Sequence, residues 1–169
     1  MEQKKLTLSL LEGRFGICRL EKDSEIPSWA HGSKFCSITQ TPEELSVVCQ
    51  EISIPEEIRT ERNWSCLKVE GPLDFGLTGI LAGLSKILAD CSISIFVIST
   101  YDTDYILVRE KDLGSAFKAL FDAGYTVLKW TLWSDVWVAG RKDLEKRALR
   151  EKVLFKRQKP LKEGVRLWN

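Results

Sequence analysis

The sequence predicts an α+β fold, and three observations predict it. Short stretches of alternating or β-branched residues recur along the 169-residue chain. Two longer stretches in its second half place apolar residues at helical spacing. Gly and Pro punctuate between them. Hydrophobic residues make up 44% of the chain and charged residues 29%, which supports a packed core and argues against global disorder.

The elements follow in order. Residues 6–11 alternate Leu-Thr-Leu-Ser-Leu and predict a strand. Glu12 and Gly13 punctuate, and residues 14–20 return as a second extended piece. Residues 23–34 hold Pro27 and Gly32 among polar residues and read as a loop or a short helix. Residues 35–39 alternate as a strand, 41–44 read as a turn or one helical turn, and the β-formers of 45–51 predict another strand. Pro55 is placed to open a short helix over 55–58. Residues 64–70 predict a strand, and apolar residues at 77, 80, 81, 84, 87 and 88 predict a helix over 77–89. Two buried strands, 93–98 and 105–108, flank a turn at 101–103. Asp112 is placed to cap a helix from Leu113 to about Ala123, which Gly124 stops before a strand at 125–128.

Residues 64–130 therefore read β-α-β-β-α-β, the order of a four-stranded antiparallel sheet with two helices on one face, the ferredoxin-like arrangement. Residues 5–63 read as a shorter copy with weak helices. The chain is thus a tandem, followed by an extension over 131–169.

Charge is unevenly spread. The net charge is +1, but residues 141–169 hold 11 Lys/Arg against 4 Asp/Glu, and residues 1–140 hold 14 against 20. The five cysteines, at 18, 36, 49, 66 and 91, have no Cys-x-x-Cys spacing and mostly sit in apolar runs. They read as reduced, half-buried thiols of a cytoplasmic protein, neither a disulfide frame nor a zinc site. The opening Met-Glu-Gln-Lys-Lys leads into no long apolar core, so no signal peptide is expected. No apolar run approaches the roughly 20 residues of a membrane span, so no membrane partner is expected.

Chemistry concentrates in residues 69–110. A Gly-broken helix start precedes a buried strand, a polar tight turn and another buried strand. Backbone N–H groups at a helix N-terminus suit a carboxylate, and a turn carboxylate suits a cationic group. Together they suit a zwitterion. No nucleophile–base constellation accompanies them: His31 is the only histidine, and neither a Gly-x-Ser-x-Gly elbow nor a phosphate loop is present. Binding rather than catalysis is the expectation, with no cofactor and no metal. Each signal also has a plainer reading. Gly76 and Gly79 allow close helix–sheet packing, Asp102 and Asp104 favour turns on local grounds, and Asp74 suits a helix cap.

Three motifs carry a family resemblance: Ser37-Ile38-Thr39-Gln40-Thr41-Pro42-Glu43-Glu44-Leu45-Ser46, Gly71-Pro72-Leu73-Asp74-Phe75-Gly76-Leu77-Thr78-Gly79-Ile80, and Ser99-Thr100-Tyr101-Asp102-Thr103-Asp104-Tyr105. In this order they resemble the ACT domain, a small regulatory module that senses amino acids. The likeness is to tandem-ACT proteins that include the CASTOR arginine sensors and bacterial relatives, and it covers about residues 5–128. It implies no catalytic activity. It implies a ligand held between two ACT domains packed side by side. One supplies residues matching Ser94 and Ile95; the other supplies those matching Thr78, Gly79, Ile80, Thr100, Tyr101 and Asp104. With one good copy per chain, the resemblance implies a homodimer with two equivalent sites. Leu77 stands where the arginine sensors carry an acidic residue, which argues against arginine as the ligand.

The expected function is a non-enzymatic sensor: a free amino acid binds, and occupancy alters contact with a regulated protein partner. The alternative is a structural or adaptor module with a vestigial pocket. The tail, with Trp130, Trp133 and Trp137 ahead of its basic run, reads as a solvated or docking helix. Nucleic-acid or acidic-membrane binding through it is the less favoured reading.

Overall fold

The computed structural model describes residues 6–129. They form eight strands: β1 (Thr7–Leu10), β2 (Phe15–Leu20), β3 (Cys36–Gln40), β4 (Leu45–Gln50), β5 (Thr60–Val69), β6 (Ile95–Ser99), β7 (Asp104–Arg109) and β8 (Thr126–Lys129). Two α-helices, α1 (Ile80–Asp90) and α2 (Leu113–Asp122), lie in the second half, and 3-10 turns occur at Ser28–Gly32, Glu51–Ser53 and Glu110–Asp112.

All eight strands join one sheet. The run β5-α1-β6-β7-α2-β8 is the expected βαββαβ unit, with β7 between β5 and β6. It departs from a four-stranded antiparallel sheet in one respect. β1 inserts between β5 and β8, antiparallel to the first and parallel to the second. The strand expected to open the first copy thus belongs to the second. In the first half, β3-β4-β2-β5 repeats the ferredoxin-like strand order, all antiparallel. Its two crossovers are 3-10 turns, Ser28–Gly32 and Glu51–Ser53, where the other unit has α-helices. The boundary expected between 63 and 64 falls inside β5, which pairs with β2 at one end and with β1 and β7 at the other.

A bulge lets β5 serve both units. Phe15 lies opposite Trp64, but Ile17 lies opposite Glu61, so β5 carries one extra residue there. Asn63, at φ 63°, takes up the extra residue in the left-handed region that Asn tolerates. The bulge re-phases the alternation, which keeps both covered faces on the same side of the sheet. There, α1 and α2 bring Leu84, Leu88, Ala116 and Leu120 against Leu8, Leu67, Val69, Ile106 and Val108. Over β2 and β4 the cover is Trp29, Ala30, Ile54 and Ile58 against Cys18, Leu45, Val47 and Cys49. Each fully buried Leu or Val contributes about 1.5–3 kcal/mol of transfer free energy.

The opposite face carries Phe15, Val48, Trp64, Cys66 and Leu107. The sheet curls over this face. Phe35, just before β3, packs on Tyr105 of β7 with ring centroids 4.6 Å apart, and edge-on to Phe15 at 5.7 Å. Arg109 lies 4.1 Å over the Trp64 ring, a cation–π contact.

Several local expectations are corrected. Residues 55–58 form an isolated turn closed by Ile58 N–H on the Pro55 carbonyl (3.3 Å) in place of a helix. α1 starts at Ile80, three residues later than expected, because Gly79 is left-handed (φ +81°) and residues 74–77 make their own turn. Asp74 does not cap α1; its Oδ1 accepts the Gly76 N–H at 2.7 Å. Asp112 makes no side-chain cap to α2, which continues from the turn Glu110–Asp112. Gly124, at φ +90°, does stop α2. Of the cysteines, Cys18, Cys49 and Cys66 are buried, while Cys36 and Cys91 are exposed. The basic extension over 131–169 lies outside the described residues, as does Trp130.

Candidate functional site

The site grows from the loop between β5 and α1 and the turn between β6 and β7. Gly71 is required where they meet. A Cβ there would sit 2.7 Å from the Asp102 carbonyl oxygen, closer than side chains tolerate. The close approach lets Leu73 N–H donate to that same carbonyl at 2.8 Å. Thr103, buried, donates its hydroxyl to the Val69 carbonyl and so pins the turn to the end of β5. Thr100 closes the turn: its N–H and its hydroxyl both donate to the Thr103 carbonyl at 2.8 Å, and its Oγ1 accepts the Thr103 N–H at 3.3 Å.

The same loop leads into α1. The first intrahelical bond runs from Gly83 N–H to the Gly79 carbonyl (2.9 Å), and no side chain caps the helix. The N–H groups of its first turn therefore remain available for an anion. Asp104 is half-buried at the start of β7. One carboxylate oxygen, Oδ1, accepts the Ser99 hydroxyl at 2.5 Å, and among the described residues no cation pairs with Asp104. Phe75 and Tyr101 meet edge to face at 5.1 Å and are 76% and 81% exposed, so an exposed aromatic pair bridges the loop before α1 and the turn. Leu77, two residues after Phe75, is also exposed.

Thr78, Gly79, Ile80, Thr100, Tyr101 and Asp104 are thus brought to one end of the βαββαβ unit. Ser94 and Ile95 are not. Ile95 opens β6 opposite Val108, whereas Ser99, at the other end of that strand, pairs with Asp104. Four residue steps separate the two ends, about 14 Å of strand. Sequence reasoning missed Gly71, Ser99 and Thr103 as the parts that hold the turn. The polar residues bracketing Tyr101 were the available signal.

Elsewhere, one concavity of about 550 Å³ is lined by Glu12, Arg14, Lys34, Glu51, Ile52 and Arg62 among others. It contains none of the expected site residues. Its charges have protein partners: Arg14 donates to Asn63 Oδ1, Arg62 to the Ile54 and Pro55 carbonyls, and Lys34 lies 3.7 Å from Glu12. The uncapped helix start and the unpaired Asp104 carboxylate lie at the other location, which is why the site is assigned there. His31 is exposed in its 3-10 turn. Among the described residues no His/Cys/Asp/Glu group could hold a metal ion, and no helix is long and apolar enough to cross a membrane.

Comparison with known proteins agrees with this fold. The ACT-domain family model matches residues 59–122, and a second model, describing an N-terminal domain, matches residues 13–57. A Bos taurus protein named Cytosolic arginine sensor for mTORC1 subunit 1 is 36% identical over 100 residues, covering 52% of this chain. The chain spans only 30% of that relative's length. A crystal structure of an Agrobacterium tumefaciens protein is 40% identical with a TM-score of 0.73, covering 79% of this chain and 99% of that one. Aspartate kinase from Clostridium acetobutylicum is 16% identical with a TM-score of 0.53, over 66% of this chain and 33% of that enzyme, a likeness of fold alone. The chain belongs to the ACT-domain family, in its CASTOR-like branch.

Proposed function

We propose that the chain is a non-enzymatic regulatory protein that binds a free amino acid at the α1 end of its second unit, in a site completed by a second copy of the chain. The observation that carries this reading is a pair of unmet valences, an uncapped helix N-terminus and a half-buried aspartate without a cation partner, on two segments tied together by the Leu73–Asp102 hydrogen bond and the Phe75–Tyr101 contact. The first suits an α-carboxylate and the second an ammonium group. Ser94 and Ile95 lie about 14 Å away along β6, so their contribution comes from a partner chain. β6 pairs only with β7 among the described strands, which leaves its outer edge available for side-by-side association. The bovine relative's name speaks of arginine, but exposed Leu77 offers a guanidinium no charge partner. An amino acid with a smaller or apolar side chain, seated against Phe75 and Tyr101, fits better. Occupancy changes the affinity for a regulated protein only in so far as the ligand prefers one of the two states.

A thermal-shift screen of the twenty amino acids tests this reading, because a ligand that binds only the native state raises the melting temperature. Asp104→Ala is expected to weaken the positive hit by about 1.5–3 kcal/mol while leaving the fold intact. No shift with any amino acid, or unchanged affinity in the variant, overturns the assignment. Sedimentation with and without the hit checks the dimer. The adaptor reading keeps one specific support, the exposed Phe75, Leu77 and Tyr101 side chains, and a protein that binds no amino acid yet dimerises would favour it.

A further inference from the structure

We infer that Cys36 and Cys49 form an intramolecular disulfide when the protein meets a low-molecular-weight disulfide oxidant such as glutathione disulfide. The two residues are direct cross-strand neighbours on β3 and β4. Their kind of pairing follows from the hairpin. Thr41 N–H donates to the Glu44 carbonyl at 2.9 Å, so Thr41 and Glu44 are a hydrogen-bonded pair. Hydrogen-bonded and non-hydrogen-bonded pairs alternate along an antiparallel ladder. Counting back, Thr39/Ser46 and Ser37/Val48 are hydrogen-bonded, whereas Gln40/Leu45, Ile38/Val47 and Cys36/Cys49 are not.

Non-hydrogen-bonded pairs hold their Cα atoms about 4.5 Å apart with side chains leaning together. That separation lies at the short end of the range a disulfide spans, about 4.4–6.8 Å. Both side chains share one face of the sheet. The pair is also the last of the ladder: beyond it Gln50 N–H turns to the Ser33 hydroxyl (3.1 Å), which itself donates to the Phe35 carbonyl (2.6 Å). The strands have freedom there to adjust. Cys18, the other thiol on this face, is held by Thr60 Oγ1 at 3.4 Å, whereas Cys49 makes only a long contact to its neighbour's carbonyl at 3.7 Å.

Exposure sets the order of events. Cys36 is exposed and Cys49 fully buried, so the oxidant reaches Cys36 first. The Cys36 thiolate attacks one sulfur of the oxidant, breaks its S–S bond and releases one thiolate. Cys49, losing its proton to solvent or to that thiolate, attacks the Cys36 sulfur and expels the second. Two protein thiols are oxidised and one small disulfide is reduced to two thiols. Partial desolvation against the sheet raises the exposed Cys36 thiol and full burial raises Cys49 to about 12, so thiolate is scarce at neutral pH and the exchange is slow; proximity favours its second step. The product staples the hairpin next to Phe35, which packs on Phe15 and Tyr105, and so couples the redox state to the opposite core.

The test uses the full, reduced chain incubated with glutathione disulfide at pH 8 and digested with trypsin without reduction. Residues 35–59 form one tryptic peptide containing Cys36, Cys49 and no other cysteine. The expected product is that peptide lighter by two hydrogens. Cys49→Ala should instead stop at a persistent glutathione adduct on Cys36, and Cys36→Ser should leave Cys49 unmodified; the exposed Cys36 site keeps the second variant folded. A lasting adduct on Cys36 in the unsubstituted protein, a cross-link from Cys49 to Cys18, a disulfide between chains, or no reaction would each overturn the assignment.

Discussion

Over the second unit, α1 and α2 lower Leu84, Leu88, Ala116 and Leu120 onto the sheet, all fully buried. Over the first, two 3-10 turns and their flanks do the same work with Trp29, Ala30, Ile54 and Ile58. Strand order is the same in both apart from β1, which inserts between β5 and β8 of the second unit, and β5 is the last strand of one unit and the first of the other. The order therefore does not depend on the helices; it needs only crossovers long enough to return the chain and apolar enough to cover the face. Ligand chemistry does depend on them. A helix supplies several unpaired N–H groups at its start, whereas a 3-10 turn of three to five residues cannot continue into such an end. This is the physical reason for proposing the ligand site in the second unit and not in the first.

The comparison can be broken most directly at the two covers. Leu84→Ala removes a fully buried side chain of α1 and is expected to cost about 2–5 kcal/mol. Ile54→Ala, in the thin cover of the first unit, is expected to cost less than Leu84→Ala, because a turn collapses onto a cavity more readily than a helix does. Urea unfolding of the two variants measures both. Equal costs would mean that the 3-10 cover is as rigidly packed as the helices.

Much of this is legible in the sequence, and the misses have causes. In the first half β1 and β3 show in period-two alternation, whereas β4, covered on both faces, shows only as a run of β-formers. The insertion of β1 is not legible, since its partners, β5 and β8, are set by contacts far along the chain. The early start of β5 at Thr60 is hidden by the bulge at Asn63, which breaks the alternation at the joint. At the site, Gly79 and Asp104 are visible from residue type. The anchoring by Gly71 and Thr103 is not, because it depends on how closely the loop approaches the turn. The separation of Ser94 and Ile95 from the rest follows from β6 running the length of the unit.

A second contrast lies in the buried thiols. Burial holds Cys66, on the shared sheet's opposite face, and Cys49, under the first cover, at about 12, above the ordinary 9.0. In the unfolded chain both ionise near the ordinary value. Above it the native state binds more protons than the unfolded one, so stability is fully present below pH 9 and falls as pH rises toward 12. The slope approaches about 1.4 kcal/mol per pH unit for each thiol that stays protonated. Chemical denaturation between pH 8 and 11 should show the decline, and Cys49→Ala should flatten part of it. A profile unchanged by that variant would mean that the first cover admits solvent to Cys49.

The smallest expected effect sharpens the joint itself. Asn63 sits at φ 63°, where a residue with a Cβ but no local hydrogen-bonding side chain is strained by about 1–2 kcal/mol. Asn63→Ala is therefore expected to destabilise by about 1 kcal/mol. Asn63→Gly should come close to the original stability, since Gly enters the left-handed region without that strain. Both variants remove the side-chain hydrogen bond from Arg14 to Asn63 Oδ1 (3.3 Å), which is exposed and weak. Both retain the bond from Asn63 N–H to Glu51 Oε2 (2.7 Å), because its donor is the backbone. The difference between the two variants thus isolates backbone conformation. If Gly costs as much as Ala, the left-handed residue is not what holds the bulge, and the re-phasing of β5 must be enforced by the packing of Phe15 and Trp64 on the far face.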